Sequence, residues 1–276
     1  MSVDLFADRP LAALYPDLER LGAEYHHRHH TEGPLFTPAV LQCLPRIVRF
    51  DTSSPSGLVL GCGPAPRAVL AMADAGFAVT GVEPVRDNVR TASAFVGDRA
   101  TILEGSAEAI PLPDASQDFV LLESVLEHVD SPPRSLAEIH RVLKPGGLVY
   151  IYTTCRTKFH PRGFNGEYAV PFLNWFPGPV REAYVHHQQH FAPELANYNA
   201  RPAFHWYTYT ELVKLGRYAG FAQFYSLVDV VPPDSPFVQG SRLRRWLMPR
   251  VRRRPWLRAL VLTQTGGSIF MVKRKS

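Results

Sequence analysis

Cysteine is scarce in this sequence, and long apolar runs are missing. The three cysteines, Cys43, Cys62 and Cys155, lie far apart and form no CxxC pair. The sequence therefore predicts neither a disulfide framework nor a cysteine zinc site. No apolar run is long enough to cross a bilayer, and the first residues lack the basic and apolar regions of a signal peptide. We expect a cytoplasmic protein that does not span a membrane.

Acidic residues are absent from one part of the chain. Positions 235–276 contain eleven lysine and arginine residues and no aspartate or glutamate. The formal net charge of the chain is +5, so the remaining residues are net acidic. A basic segment on an acidic body indicates a local docking patch rather than a generally basic, nucleic-acid-binding protein.

Short apolar runs alternate with helical patterns through the first half of the chain. Strands are predicted at 58–60, 77–82, 100–103, 118–122 and 148–153, and again at 221–231 and 268–272. Helices are predicted at 67–75, 88–95, 135–143 and 210–219. This alternation predicts an α/β fold with a doubly wound, mostly parallel sheet covered by helices on both faces.

The alternation stops between residues 155 and 207, a stretch that holds twelve aromatic residues and five histidines. A long irregular segment inside a compact domain predicts a functional cap. We divide the chain into an N-terminal helical lid (1–55), a cofactor-binding core (56–154), a cap insertion (155–207) and a completion of the core sheet (208–276) that includes an arginine-rich insert (240–258).

A glycine turn follows the first predicted strand. Gly61 and Gly63 let the chain turn tightly and let its backbone approach a ligand. Such a ligand lies at the carboxyl ends of the strands, where the strand order reverses. Glu83 ends the second predicted strand, where a carboxylate can accept hydrogen bonds from both ribose hydroxyls of a nucleoside.

Five motifs occur in order along the core. They are Gly61–Gly63, Gly81–Pro84, Gly105–Pro113, Ser124–Val129 and Leu143–Gly147. Together they resemble the class I S-adenosylmethionine-dependent methyltransferases of the small-molecule and quinone-biosynthesis type, over about 56–154 and again over 205–221. The resemblance implies a seven-stranded sheet with an antiparallel last strand, and S-adenosyl-L-methionine as the cofactor. A nicotinamide enzyme is disfavoured because the last two motifs have no role in one.

The resemblance also implies which residues bind the cofactor within the core. They are Gly61, Cys62, Gly63, Glu83, Pro84, Ser106, Ala107, Glu123 and Ser124. Val59, Ala65 and Ser106 depart from the family pattern, which usually has an acid, a glycine and an aspartate there. These departures support an alternative, a degenerate methyltransferase fold that acts as a non-catalytic binding module.

Methyl transfer needs a general base only when the acceptor is a hydroxyl or an acidic carbon. His128 follows the fourth predicted strand and is a candidate base, as are His190 and His205 in the cap. The aromatic residues of the cap favour a small, apolar or lipid-like acceptor, methylated at oxygen or carbon. The alternative is that they form a small satellite core.

Four histidines follow Tyr25 within the run 25–30. His26 and His30 have a spacing that can bind zinc on a helix, but no carboxylate or cysteine pattern accompanies them. We expect no metal, and we expect this segment, with Tyr25, to pack over the cofactor. The alternative is a helix face exposed to solvent.

The arginine-rich insert carries eight arginines between Arg242 and Arg258, interleaved with apolar residues and two tryptophans. This composition favours peripheral binding to an anionic membrane surface on the inner face of the membrane. RNA binding and a solvated basic loop are the alternatives, and Pro249 and Pro255 are expected to break any long helix. A nucleic-acid methyltransferase is disfavoured because the Asn/Asp-Pro-Pro-aromatic signature of amino-group methylation is missing.

Overall fold

The computed structural model describes residues 36–159, 173–191, 203 and 205–275. The run from Tyr25 to His30, together with most of the predicted lid, lies outside the described residues, as does part of the predicted cap. No helix within the described ranges is long and apolar enough to cross a membrane.

The described residues form seven strands and ten α-helices. The strands are β1 (Ser56–Leu60), β2 (Ala78–Glu83), β3 (Thr101–Glu104), β4 (Gln117–Glu123), β5 (Leu143–Tyr152), β6 (Phe221–Ser226) and β7 (Ser268–Lys273). The helices are α1 (Thr37–Leu41), α2 (Arg67–Asp74), α3 (Arg86–Val96), α4 (Pro132–Val142), α5 (Gly178–Phe191), α6 (Tyr209–Tyr218), α7 (Leu227–Val230), α8 (Pro236–Gln239), α9 (Arg242–Arg253) and α10 (Pro255–Thr265). Short 3₁₀ helices occupy Leu44–Arg46, Gly97–Arg99 and Leu173–Trp175.

The strands form one sheet in the order β3-β2-β1-β4-β5-β7-β6. Strands β1 to β5 are parallel to one another, whereas β7 runs antiparallel to both β5 and β6. The predicted doubly wound sheet with an antiparallel last strand is confirmed. The strand order reverses between β1 and β4, so a crevice for a ligand is expected at their carboxyl ends.

Hydrophobic clusters cover both faces of the sheet. Adjacent residues of β4 point to opposite faces, so that Leu121 packs in one cluster and Leu122 in the other. The first cluster also contains residues of α1 and α9, such as Val40 and Val251. Because both faces are covered, the central strands are almost fully buried, and only their ends reach the surface.

Two predicted elements differ from the structure. The strand predicted to run to Val231 ends at Ser226, because Ser226 and Asp229 form a capping box that starts α7. Pro249 lies inside α9 rather than ending it, whereas the second proline, Pro255, does begin a new helix. The apolar pattern of residues 221–231 did not reveal this cap.

Candidate cofactor and acceptor site

The glycine turn after β1 has the backbone conformation that the sequence predicts. Gly61 and Gly63 have φ values of +63° and +67°, a left-handed region that favours glycine. The Gly61 amide donates to the Val82 carbonyl at 2.8 Å, which ties the turn to β2. A Cβ on Gly61 would lie 2.4 Å from Val125, whereas a Cβ on Gly63 would meet nothing within 4 Å. The turn therefore packs tightly at one glycine and faces open space at the other.

Glu83 at the end of β2 is buried and held by three donors. Its Oε2 accepts from the Gly63 amide at 3.0 Å. Its Oε1 accepts from the Val85 amide at 3.2 Å and from Asn88 Nδ2 at 3.0 Å. A carboxylate has about four acceptor sites, so one site remains for a further donor at the crevice. The carboxylate is thus fixed against the glycine turn.

The loop after β3 lies beside Glu83. The Gly105 amide donates to the Glu83 carbonyl at 3.1 Å. Ser106 forms an isolated bridge with Ala109, and Ala107 is buried. Pro84, which follows Glu83, is exposed. The ends of β1, β2 and β3 therefore bring the glycine turn, Glu83 and the loop after Gly105 next to one another.

The end of β4 carries a buried carboxyl group and a strained residue. Ser124 has a φ of +53°, which is uncommon outside glycine and concentrates at functional sites. Its amide donates to the Tyr152 carbonyl at 2.8 Å, which fixes this conformation. Glu123, the preceding residue, receives a bond of 3.4 Å from Thr37 Oγ1 at its Oε2.

Glu123 differs from Glu83 in its electrostatic surroundings. Its Oε1 is inaccessible to solvent and has no hydrogen-bond partner among the described residues. Burial raises the pKa of the Glu123 carboxyl to about 7. The hydrogen bond from Thr37 lowers the pKa, but its effect is smaller than that of burial. This carboxyl group can therefore gain or lose a proton near neutral pH.

An aromatic pair adjoins Glu123. Tyr152 is its partner in register on β5, and neighbouring strands place such partners on the same face of the sheet. The Tyr152 ring stacks on Phe36 with centroids 6.2 Å apart and an interplanar angle of 25°. Both rings are exposed, so an apolar surface lies beside the buried carboxyl group.

The backbones of two of the three candidate histidines, His128 and His205, are neighbours in space. The His205 amide donates to the Glu127 carbonyl at 3.2 Å, next to His128. The His205 ring stacks on Tyr207 with centroids 6.5 Å apart. His190 lies in α5, but its side chain is outside the described residues.

Tyr207 is a polar residue that the sequence did not single out. Its hydroxyl is buried and has no hydrogen-bond partner among the described residues. Burial and the nearby charge of Glu127 raise the pKa of this hydroxyl, so Tyr207 stays protonated. It therefore keeps an unused hydrogen-bond donor.

Comparison with known proteins agrees with this geometry. Residues 58–151 match a family described as a methyltransferase domain. An uncharacterized methyltransferase of Mycobacterium bovis BCG is 36% identical over 147 residues, which cover 52% of this chain and 54% of that protein. One from Mycobacteroides abscessus is 34% identical over 135 residues, or 47% and 49% of the two chains. Residues 58–151 are a methyltransferase domain.

The chain spans about half the length of the curated relatives it matches. A solved structure of Haemonchus contortus phosphoethanolamine N-methyltransferase 2, with phosphomonomethylethanolamine and S-adenosylhomocysteine, has 15% identity and a TM-score of 0.55. The match covers 96% of this chain and 60% of that one. At this identity the likeness shows a shared fold.

Among the departures from the family pattern, Val59 is buried, whereas Ala65 and Ser106 are half-buried. Val59 is buried in the hydrophobic cluster that contains Val40 and Leu121. The acid of the family pattern is therefore replaced at a position that solvent does not reach. Ala65 accepts a bond of 2.8 Å from the Arg67 amide at the start of α2.

Burial and the charge of Glu83 raise the pKa of the Cys62 thiol to about 12, so Cys62 is not a nucleophile at neutral pH.

The described part of the predicted cap is tied to the core, because the amides of His205 and Tyr207 donate to the carbonyls of Glu127 and Thr154 at 3.2 and 3.1 Å. Further contacts lie within the cap itself. Cys155 and Tyr207 form an isolated bridge. Asn174 is buried and donates to the Arg156 and Lys158 carbonyls at 2.9 and 2.8 Å. Among the residues that the structure describes, no group of three metal-ligating side chains is present.

Proposed function

We propose that this protein transfers a methyl group from S-adenosyl-L-methionine to a small, apolar or lipid-like acceptor, at oxygen or carbon. The observation that carries this proposal is the contact between the buried Glu83 carboxylate and the Gly63 amide. This contact lies at the carboxyl ends of β1 and β2, beside the point between β1 and β4 where the strand order reverses and where ligands of this fold class bind.

The residues at this edge fit the cofactor. Glu83 retains one acceptor site for a ribose hydroxyl after its three protein bonds. The open space over Gly63 admits a ligand close to the backbone. The Ser106 hydroxyl can accept a hydrogen bond from the adenine amino group. The bound cofactor supplies an electrophilic methyl group on a sulfonium.

The protein's own contribution is chiefly alignment, which can supply about 7–11 kcal/mol of the barrier. Glu123 adds a proton acceptor at the end of β4. In the proposal, Glu123 takes up the proton that the acceptor oxygen or carbon loses as it gains the methyl group. A carboxyl group with a pKa of about 7 suits this task. His128 and His205 remain alternative bases.

The aromatic pair supports the apolar character of the acceptor. Phe36 and Tyr152 expose their rings beside Glu123. Pockets for small molecules are mostly apolar, with a few placed polar groups. A carboxyl group at the edge of an exposed aromatic surface matches that description.

Calorimetric titration with S-adenosylmethionine and with S-adenosylhomocysteine tests the cofactor. We expect micromolar binding that Glu83→Ala abolishes. Glu104→Gln is the matched control, because Glu104 ends the neighbouring strand in register with Glu83 but is exposed and paired with Arg86. No binding at millimolar ligand would contradict the proposal.

A non-catalytic binding module is the second candidate, and Val59 and Ser106 favour it because both replace an acid that the family pattern has. It predicts cofactor binding without turnover. Incubation with methyl-labelled cofactor and a panel of phenols, quinols and fatty acids distinguishes the two. Labelled product that depends on Glu83 supports the enzyme, whereas tight binding with no product from any acceptor supports the module.

A further inference from the structure

Helices α9 and α10 form a basic hairpin (residues 242–265) on the sheet. Met248 and Val251 of α9 are buried in the cluster that contains Phe270 of β7. The turn between the helices contains Pro255, which starts α10 and lacks the amide hydrogen that a continuous helix would need. The hairpin is therefore a packed part of the fold with a defined inner side.

Two arginines fasten the hairpin to α7. Arg252 Nε donates to the Val228 carbonyl at 2.8 Å, and Arg252 Nη2 donates to the Val231 carbonyl. Arg258 pairs with Asp229 through two bonds of 2.7 Å. These two side chains serve the fold, and the surface chemistry of the hairpin rests on the remaining arginines.

The outer side of the hairpin exposes large apolar side chains at helical spacing. Leu243 and Trp246 lie one turn apart on α9, with 65% and 55% of their surface exposed. Trp256 and Leu260 lie one turn apart on α10, with 63% and 58% exposed. Side chains three or four residues apart share one face of a helix. Each helix thus presents an apolar pair to solvent.

Basic side chains surround these apolar pairs. The exposed arginines of the hairpin are Arg242, Arg245, Arg250, Arg253 and Arg254. Among the described residues, none of these five forms an ion pair. The segment contains no acidic residue at all. The surface therefore combines unneutralised positive charge with exposed tryptophan and leucine.

This combination matches a lipid surface better than a nucleic acid. Single-stranded nucleic acids stack their bases on flat aromatic faces, but Arg250 already covers the Trp246 ring, at 3.9 Å from its centroid. Leu243 and Leu260 are aliphatic and offer no stacking surface. Interfacial helices bury tryptophan and leucine at the boundary of headgroups and acyl chains, while arginines bind the phosphates.

We propose that the basic hairpin docks this protein on the surface of an anionic phospholipid bilayer. Leu243 and Trp246 enter the interface, and the exposed arginines contact lipid phosphates. Each basic residue near such a surface contributes about fivefold in partitioning, and this contribution weakens as salt screens it. The proposal does not depend on methyl transfer, because docking needs only the surface of the hairpin.

Vesicle sedimentation of the full chain tests the proposal. One set of vesicles is phosphatidylcholine alone, and the other contains equal parts of phosphatidylcholine and phosphatidylglycerol. We expect binding to the anionic vesicles only, weakened roughly tenfold or more by R245E/R253E. The double variant R49E/K214E has the same change in net charge, at two exposed residues outside the hairpin, and should bind as the wild type does.

A second pair of variants tests the apolar contribution. L243A/W246A removes exposed side chains only, and should weaken vesicle binding roughly tenfold while leaving thermal unfolding unchanged. Tyr218→Ala, at a position that is 84% exposed on another helix, is the control and should have no effect.

Four outcomes overturn the proposal. They are equal binding to neutral vesicles, equal losses in the hairpin and control variants, absence of vesicle binding at low salt, and binding to a single-stranded RNA oligonucleotide that exceeds binding to anionic vesicles.

Discussion

At the scale of single residues, Gly63 and Gly76 form a matched pair. Both have a positive φ, at +67° and +89°, and neither has an atom within 4 Å of an added Cβ. Gly63→Ala and Gly76→Ala should each cost about 1 kcal/mol of stability, because alanine is strained in this conformation. Only Gly63 faces the predicted cofactor.

We therefore expect Gly63→Ala to lose S-adenosylhomocysteine binding and Gly76→Ala to retain it, measured by calorimetry next to chemical denaturation. Equal affinities in the two variants would mean that the open space over Gly63 does not hold the ligand.

Glu123 predicts a pH dependence of stability. Its pKa is about 7 in the folded protein against a usual value of 4.5, so the folded state keeps a proton that the unfolded state releases. The free energy of unfolding should therefore fall by about 3 kcal/mol at most as the pH rises from 4.5 to 7. Glu123→Gln removes this dependence.

Urea denaturation of the wild type and of Glu123→Gln at a series of pH values measures the difference. The difference in unfolding free energy between the two proteins should grow from pH 4.5 to pH 7 and stay constant at higher pH. A constant difference at every pH would show that burial of Glu123 does not perturb its titration. Methyl transfer, if Glu123 is the base, should rise as the pH passes through about 7, in the wild type alone.

At the scale of elements, Asp229 joins α7 to α10. Burial alone would raise its pKa, but bonds from Arg258 and Ser226 outweigh burial and hold the pKa below the usual 3.8. Asp229→Asn leaves the half-buried Arg258 unpaired and should cost roughly 2 kcal/mol. In the wild type the stabilisation is lost as the pH falls below 3.8.

Thermal denaturation at pH 7 and pH 3 checks this prediction for Asp229→Asn. Asp87→Asn is the control, because Asp87 forms a surface pair with Arg90 and is 85% exposed; such pairs contribute little. If both variants are equally stable, Asp229 does not hold α10 in place.

The sequence predicted the elements whose signal is local. Strands β1 to β5 and helices α2, α3, α4 and α6 have local apolar patterns, and these predictions are confirmed. The sequence pattern did not predict the end of β6. Ser226 and Asp229 end the strand by forming the capping box of the next helix, and such a cap leaves no trace in the apolar periodicity. Helix α9 continues past Pro249 because tertiary packing of Met248 and Val251 compensates for a lost backbone bond.

The site was predictable where one loop or one strand end defines it, as at Gly61, Gly63 and Glu83. The unsatisfied carboxyl oxygen of Glu123 was not predictable. It depends on the register of β4 with β5 and on Thr37 of α1, which lies far away in the sequence. The buried hydroxyl of Tyr207 depends in the same way on contacts between distant segments.

At the scale of the whole molecule, ligand binding should raise thermal stability. A ligand present at a hundredfold excess over its dissociation constant stabilises the folded state by about 2.7 kcal/mol. For a domain of this size, that corresponds to a rise in Tm of roughly 5–10 °C. We expect this rise with S-adenosylhomocysteine in differential scanning fluorimetry. An unchanged Tm with ligand, or the same rise with Gly63→Ala, would contradict the proposed site.

The position of β7 affects how the chain is made. Although β7 comes last among the seven strands, it fills the gap between β5 and β6. During synthesis, β5 therefore emerges with one edge unpaired and keeps that edge until β7 follows. An unpaired strand edge is a template for aggregation. A ribosome-bound fragment that stops before Ser268 should depend on chaperones, and the longer chain should be released from them once β7 can insert.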